Sequence, residues 1–148
     1  MYKSFYQLHS KPFSLLPDSD FLYLGSTHRT AYSLLEYGLL TEAPFMVLTG
    51  DPGTGKTSLL HRLIDDNRDS YSIGFLSNAR YDVEYLLPWI LLALGLNTKQ
   101  LDPVEAQHLF AKFLAEQAIR KRRVVLIMDE AQNLGVKLLD DDCLQLIV

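Results

Sequence analysis

The chain has 148 residues, of which 48% are hydrophobic and 22% are charged, and these values are typical of one ordinary soluble globular domain. Its formal net charge of -4, from 18 acidic and 14 basic residues, excludes a general electrostatic surface for nucleic acid or an anionic membrane, so any contact with DNA would be local. The one cysteine, Cys143, excludes an internal disulfide bond and a cysteine-built zinc site, and we expect a cytoplasmic protein.

The first part of the chain consists of an N-terminal segment followed by a glycine-rich loop. Residues 1–40 are rich in aromatic and turn residues, and we predict that they form a lead-in segment and a helix that pack on a core formed by residues 41–148. The helix is predicted over residues 27–40, where apolar residues recur at helical spacing: Ala31, Leu34, Leu35 and Leu39. The apolar run at residues 45–49, FMVLT, predicts a strand that enters the loop. Residues 57–64 predict the helix that leaves it, with four side chains directed inward: Leu59, Leu60, Leu63 and Ile64.

The second half of the chain alternates strands and helices. We predict a strand at residues 71–77, and a helix over residues 81–96 that is kinked or restarted at Pro88 and buries Trp89. The longest apolar tract lies within this helix and is too short to cross a membrane. Asp102, Pro103 and Glu105 have the spacing of a capped helix start, and the helix should end near residue 121 with one apolar face: Leu109, Phe110, Phe113, Leu114 and Ile119.

A continuous apolar run, VVLIM at residues 124–128, predicts a strand that is covered on both faces of a parallel sheet. Strands that alternate with helices favour an α/β fold with right-handed crossovers between parallel strands.

The loop GDPGTGKT, at residues 50–57, has the composition of a phosphate-binding loop between a strand and a helix. Glycines allow the backbone to turn successive N–H groups onto phosphate oxygens, Lys56 can reach the β and γ phosphates, and the Thr57 hydroxyl can complete the shell of a Mg²⁺ ion. We assign nucleotide binding to a contiguous set of residues: Gly50, Asp51, Pro52, Gly53, Thr54, Gly55, Lys56, Thr57 and Ser58.

Two acidic residues, Asp129 and Glu130, follow the predicted strand at residues 124–128. The carboxyl ends of parallel strands line one crevice, so these carboxylates can lie near bound phosphates. Asp129 would hold Mg²⁺ through a water molecule, and Glu130 would orient or deprotonate the attacking water.

These motifs resemble the AAA+ ATPases of the ExeA type, also called general secretion pathway protein A, and the related transposition ATPases. The resemblance rests on FYQLHSKPFSLLPDSDFLYLGSTHRTA in the lead-in, on GDPGTGKT and on VVLIMDEAQNL. It implies a three-layer P-loop NTPase of AAA+ type with a parallel sheet, which uses ATP and Mg²⁺. In this family pattern Lys56 and Thr57 bind phosphate and magnesium, Asp129 assists the metal and Glu130 is the hydrolytic glutamate.

The resemblance also implies a cytoplasmic bacterial ATPase that forms homo-oligomers on ATP and acts with an inner-membrane secretion partner. Two alternatives stay open: a helper ATPase of DNA transposition, and a truncated nucleotide-binding fragment with little or no turnover. No guanine-recognition motif such as NKxD occurs in the sequence, and the choice of ATP rests on the resemblance. The partner and the pathway are not determined by the sequence.

The family pattern continues beyond the DEAQNL segment, and the core therefore looks incomplete at the C-terminus. Residues 136–148 are either a helix or, through CLQLIV, the start of the next strand, and both interpretations stay open. From this pattern we expect a chain that is poorly stable alone, binds nucleotide weakly and hydrolyses it slowly or not at all.

Two further features have plain interpretations. The basic run RKRR, at residues 120–123, could contact DNA or anionic lipid. The plainer interpretation is that it closes a predicted helix, where cations favour the negative end of the helix dipole and form a solvated face. The histidines have no spacing that indicates a metal site. His28 matches a histidine in the family lead-in and is a candidate for ordering that segment near the nucleotide, but its role does not follow from the sequence.

Overall fold

The computed structural model describes residues 5–8, 23–77, 86–98 and 101–133. Predictions that concern residues 9–22, 81–85 and 134–148, including the two alternatives for residues 136–148, lie outside the described residues. The chain divides into two compact units, Met1–Asp65 and Asp66–Val148. The subdivision into residues 1–40 and 41–148 stays a prediction.

The first helix, α1, spans Ser26–Leu40 and confirms the helix predicted from residue 27. Leu35, Gly38 and Leu39 are buried, as expected for positions that share one face of a helix. Leu34 fits the same helical spacing, yet its side chain is 64% exposed. A methyl group on Gly38 would collide with the side chain of Met46, so the buried stripe passes through this glycine and leaves Leu34 to one side.

The strand predicted at residues 45–49 is wrong for this structure, because these residues have no strand conformation. Phe45 and Val47 are 61% and 67% exposed. A strand is defined by a ladder of backbone hydrogen bonds to a neighbour, and within the described residues such a ladder joins only the two strands at residues 71–76 and 123–128. An apolar run without that ladder stays irregular.

The second helix, α2, spans Lys56–Asn67 and begins directly after the glycine-rich loop. Leu59, Leu63 and Ile64 are buried, which confirms their predicted inward direction, and Leu60 is half-buried. These side chains recur at helical spacing and form one apolar face of α2. The helix that follows the loop is therefore anchored by burial as well as by its own hydrogen bonds.

The second unit contains a parallel pair of strands, β1 at Tyr71–Leu76 and β2 at Arg123–Met128. The register pairs Tyr71 with Arg123 and Leu76 with Met128. Both strands were predicted within one or two residues, and the parallel pairing with helices between the strands confirms the α/β class. Every residue of β2 is half-buried, so the predicted covering of both faces is only partial within the described residues.

Helix α3 spans Leu87–Ala93 and has Pro88 in its first turn, where the missing proline N–H costs no helical hydrogen bond. The start of α3 at Leu87 agrees with the predicted restart at Pro88 rather than with a kink. Ile90 and Leu91 are almost completely buried, whereas Trp89 is 44% exposed and its predicted burial is wrong. Neighbouring residues of a helix point about 100° apart, so burial of Ile90 and Leu91 turns Trp89 toward the surface.

Helix α4 spans Pro103–Ile119, and its start confirms the prediction. The Asp102 carboxylate accepts from the Glu105 N–H at 2.8 Å, while the Glu105 carboxylate accepts from the Asp102 N–H at 3.0 Å. This reciprocal capping box satisfies two backbone donors that the helix itself leaves without partners. Phe110 is buried as predicted, but Ile119 is 82% exposed, because it lies about 200° around the last turn of the helix from the buried Gln117.

The core of the second unit forms where α3 and α4 pack against the strands and each other. Its buried members are Leu76, Leu86, Ile90, Leu91, Ala106 and Phe110. Gln117 is also buried, and it accepts a hydrogen bond from the Ser72 hydroxyl at 2.6 Å, which satisfies the amide oxygen. None of the described helices is both long enough and apolar enough to cross a bilayer.

Gly74 in β1 is expected to be intolerant of larger residues. A Cβ atom there would lie 2.9 Å from Leu126 Cδ2 and 3.1 Å from Leu94 Cδ2. We expect Gly74→Ala to lower the free energy of unfolding by about 1–3 kcal/mol, measured by urea denaturation. The double variant with Leu126→Ala, which removes the contacted atom, should lose less stability than the sum of the two single variants, and simple additivity would contradict this contact.

Candidate functional site

The glycine-rich loop at residues 50–55 is shaped by two glycines in the left-handed region. Gly53 has φ 78° and Gly55 has φ 84°, a conformation that a side chain would strain. At Gly50 the constraint is one of space, because a Cβ atom there would lie 3.2 Å from the Thr54 hydroxyl oxygen. The loop therefore needs glycine for backbone conformation at two positions, and at the third a side chain would crowd Thr54.

The carbonyl group of Asp51 is the centre of the hydrogen bonds inside the loop. It accepts from the Thr54 backbone N–H at 3.3 Å and from the Thr54 hydroxyl at 2.8 Å. The Lys56 ammonium group donates to the same carbonyl at 2.9 Å and to the Gly50 carbonyl at 2.7 Å. The side chain of Lys56 thus reaches back across the loop, which places its positive charge within the turn.

The first turn of α2 continues directly from this loop. The first helical hydrogen bond runs from the Leu59 N–H to the Gly55 carbonyl at 2.9 Å. Lys56, Thr57 and Ser58 are half-buried at this end, where the N–H groups of a helix point outward and its dipole is positive. A loop of this shape that ends in a helix start favours binding of an anion.

A residue of α1 also forms a hydrogen bond with the loop, and the sequence did not indicate this bond. The His28 imidazole lies with Nε2 at 2.8 Å from the Thr54 carbonyl, and because a carbonyl oxygen only accepts, Nε2 is the donor. The two residues are 26 positions apart in the chain, so no local spacing could have predicted this bond. His28 is half-buried beside Gly55.

Asp129 and Glu130 follow the last residue of β2, as predicted. The Asp129 N–H donates to the Leu76 carbonyl at 2.9 Å, which extends the contact between the strands, and the Glu130 N–H donates to Asp129 Oδ1 at 3.0 Å. Glu130 has φ 55°, a left-handed conformation that costs a residue other than glycine roughly 1–3 kcal/mol. Asp129 is half-buried and Glu130 is exposed, so the strained turn presents the Glu130 carboxylate to solvent.

The predicted site residues fall into two groups. Residues 50–58 lie together with His28 in the first compact unit, and Asp129 and Glu130 lie together in the second. Their assignments to nucleotide, metal and water stay predictions, as does the expectation that the Asp129 and Glu130 carboxylates lie near bound phosphates.

The basic run at residues 120–123 is partly structural. The Arg122 guanidinium donates from Nη2 to the Arg68 carbonyl and to the Tyr71 carbonyl, each at 2.8 Å. Arg122 is half-buried, unlike the exposed Arg120 and Lys121. The plain interpretation of this run as a solvated face therefore holds for its exposed members, whereas Arg122 connects the end of α4 to the start of β1.

Comparisons with known proteins agree with the motifs. The family described as AAA domain matches residues 40–148. General secretion pathway protein A from Aeromonas hydrophila is 35% identical over 140 residues, which cover 90% of this chain and 25% of that protein. The chain thus spans about a quarter of the length of this curated relative. No solved structure matches the chain. The match over most of the chain confirms the resemblance and the P-loop NTPase fold: the chain belongs to the AAA domain family.

Proposed function

We propose that the chain binds ATP with Mg²⁺ through residues 50–58 and hydrolyses it, and that this cycle drives conformational change in a bacterial secretion-type assembly. The observation that supports nucleotide binding best is the loop itself. Left-handed Gly53 and Gly55 bring the backbone to the start of α2, and the Lys56 ammonium group lies across the same turn. Backbone donors, a helix start and a flexible cation are the features that a polyphosphate needs.

The residues of the loop fit such a ligand on steric grounds. Residues 51–54 are exposed, and a Cβ atom on Gly53 would meet no atom within 4 Å, so the loop surface is open at that point. Phosphate oxygens are best bound where backbone N–H groups converge without side chains between them. Bound Mg²⁺ supplies positive charge that offsets the charge developing on the phosphates during transfer.

Each predicted residue then has a distinct role. Lys56 would exchange its carbonyl partners for phosphate oxygens, and the Thr57 hydroxyl would be a ligand of the metal. Asp129 would hold the metal through a water molecule. Glu130 would orient the attacking water and accept its proton, for which an exposed carboxylate on a fixed turn is suited.

The partner in this proposal comes from similarity to general secretion pathway protein A. We propose a homo-oligomeric ATPase that acts at the cytoplasmic face of the inner membrane through a secretion partner. A role as a DNA helper receives less support, because the chain carries net negative charge and Arg122 in its one basic run already donates to backbone carbonyls.

The proposal is tested by titrating the chain with a fluorescent ATP analogue, with Mg²⁺ or with EDTA, and by measuring phosphate release. We expect saturable binding that weakens in EDTA and is competed by ATP. Phosphate release of about 1 per second or more would also establish ordinary enzymatic turnover in this chain. Absence of saturable triphosphate binding would refute the proposal, and ATP-dependent DNA binding that falls steeply with salt would favour the transposition helper.

A further inference from the structure

We propose that His28 is a positioning residue for the phosphate loop, and that its hydrogen bond to the Thr54 carbonyl sets the direction of the Gly55 N–H group. This inference rests on the proposed nucleotide binding, because that N–H is one of the donors the loop offers to phosphate. The bond is 2.8 Å long and runs from helix α1 to the middle of the loop. No neighbouring residue in the sequence supplies it.

The geometry of the peptide group explains how a bond to a carbonyl can orient an amide. The Thr54 carbonyl and the Gly55 N–H belong to one planar peptide unit, and the described chain contains no cis peptide bond. In a trans peptide these two groups point in opposite directions. A carbonyl that is held toward the His28 imidazole therefore directs the Gly55 N–H away from that imidazole.

This peptide unit needs a hydrogen-bond partner from outside the loop, because the residues on either side of Thr54 restrict the backbone conformation little. Gly53 and Gly55 lie on either side of Thr54, and glycine has access to more backbone conformations than any other residue. The N–H and the hydroxyl of Thr54 are both tied to the Asp51 carbonyl. His28 secures the carbonyl of the same residue, so Thr54 is restrained on both sides.

The position of His28 is fixed by hydrogen bonds of the neighbouring residue Arg29. It lies in the first turn of α1, where the Arg29 N–H donates to the Gly25 carbonyl at 2.9 Å and Arg29 Nε donates to the Leu24 carbonyl at 2.9 Å. The imidazole Nε2 lies 3.4 Å from the position that a Cβ atom on Gly55 would occupy, which is ordinary van der Waals contact. The ring therefore lies close to the loop at Gly55, and a side chain at that position would touch it.

The test compares His28→Phe, which keeps a ring but removes the donor, with His28→Gln, whose amide nitrogen reaches about as far as imidazole Nε2. We expect His28→Phe to weaken binding of a fluorescent ATP analogue about 3- to 10-fold, the effect of one lost hydrogen bond. Hydrogen exchange of peptides that cover residues 50–57, measured without nucleotide, should also become faster. His28→Gln should restore both quantities toward those of the parent chain, and His108→Phe, on the exposed face of α4, should change neither.

The outcomes separate this inference from the proposed function. A parent chain that binds no triphosphate would refute the proposed function, while loop exchange would still report whether the His28 bond orders the loop. Binding and exchange that are unchanged in His28→Phe would overturn the positioning role. Equal losses in the Phe and Gln variants would also overturn it, because a side chain that restores the donor would then fail to restore the loop.

Discussion

Lys56→Ala is expected to weaken ATP binding roughly 10- to 100-fold, because hydrogen bonds to a charged group contribute about 1.5–3 kcal/mol each. Lys56 is the cation that the loop holds across its turn, with its ammonium group at 2.7 Å from the Gly50 carbonyl and 2.9 Å from the Asp51 carbonyl. Both carbonyls belong to the loop, so the ammonium group is already at the place where phosphate would enter. Equilibrium titration with a fluorescent ATP analogue measures the loss.

The matched control is Lys112→Ala, which removes an exposed lysine from α4 and should leave the affinity unchanged. Loss of the two bonds to Gly50 and Asp51 will also loosen the loop, and thermal unfolding of both variants shows whether the fold is retained. Lys56→Met keeps the apolar stem of the side chain without its charge and should bind as weakly as Lys56→Ala. Parent-like affinity in both Lys56 variants would contradict the phosphate-loop assignment.

Glu130→Gln is expected to slow ATP hydrolysis by about 10²–10⁴-fold while leaving ATP and Mg²⁺ binding near that of the parent chain. Glutamine keeps the size and shape of the side chain but loses the carboxylate that would accept a proton from water. Phosphate release under saturating ATP measures hydrolysis, and titration with the fluorescent analogue measures binding. Turnover by the variant that equals turnover by the parent would remove Glu130 from its proposed role.

The substitution Glu130→Gln should leave the backbone of this turn unchanged. Its φ of 55° strains glutamine about as much as glutamate, so the exchange should not alter the cost of the turn. The hydrogen bond from the Glu130 N–H to Asp129 Oδ1 involves only the backbone of residue 130 and is retained. Glu116→Gln, at an exposed position on α4, is the control that removes a carboxylate elsewhere and should leave hydrolysis unchanged.

Several elements were predictable from the sequence because short-range interactions determine them. Asp102, Pro103 and Glu105 indicated the start of α4, and the structure has both hydrogen bonds of the capping box. The continuous apolar run before Asp129 indicated a buried parallel strand, and β2 pairs in parallel with β1. In the loop, the glycine pattern indicated tight backbone turns, and Gly53 and Gly55 have the left-handed φ that such turns require.

Residue type and spacing along the chain also indicated the candidate site. The loop at residues 50–57 and the acidic pair after β2 were each recognisable as a motif, and the family match agrees with that recognition. The roles of Lys56, Thr57, Asp129 and Glu130 stay predictions, because they concern a ligand and a metal that the sequence can only imply. The experiments on Lys56 and Glu130 test them directly.

The sequence by itself therefore determined the starts of α1, α2 and α4 to within one residue, which residues form the loop and which family the chain resembles. Only the tertiary structure decided which apolar side chains are covered: Leu34, Trp89 and Ile119 fit helical periodicity or core composition, yet each is exposed. It also decided that residues 45–49 form no strand and that His28 reaches Thr54. The physical reason is the same in each case, since burial, strand pairing and long-range hydrogen bonds depend on a neighbour that is distant in the chain.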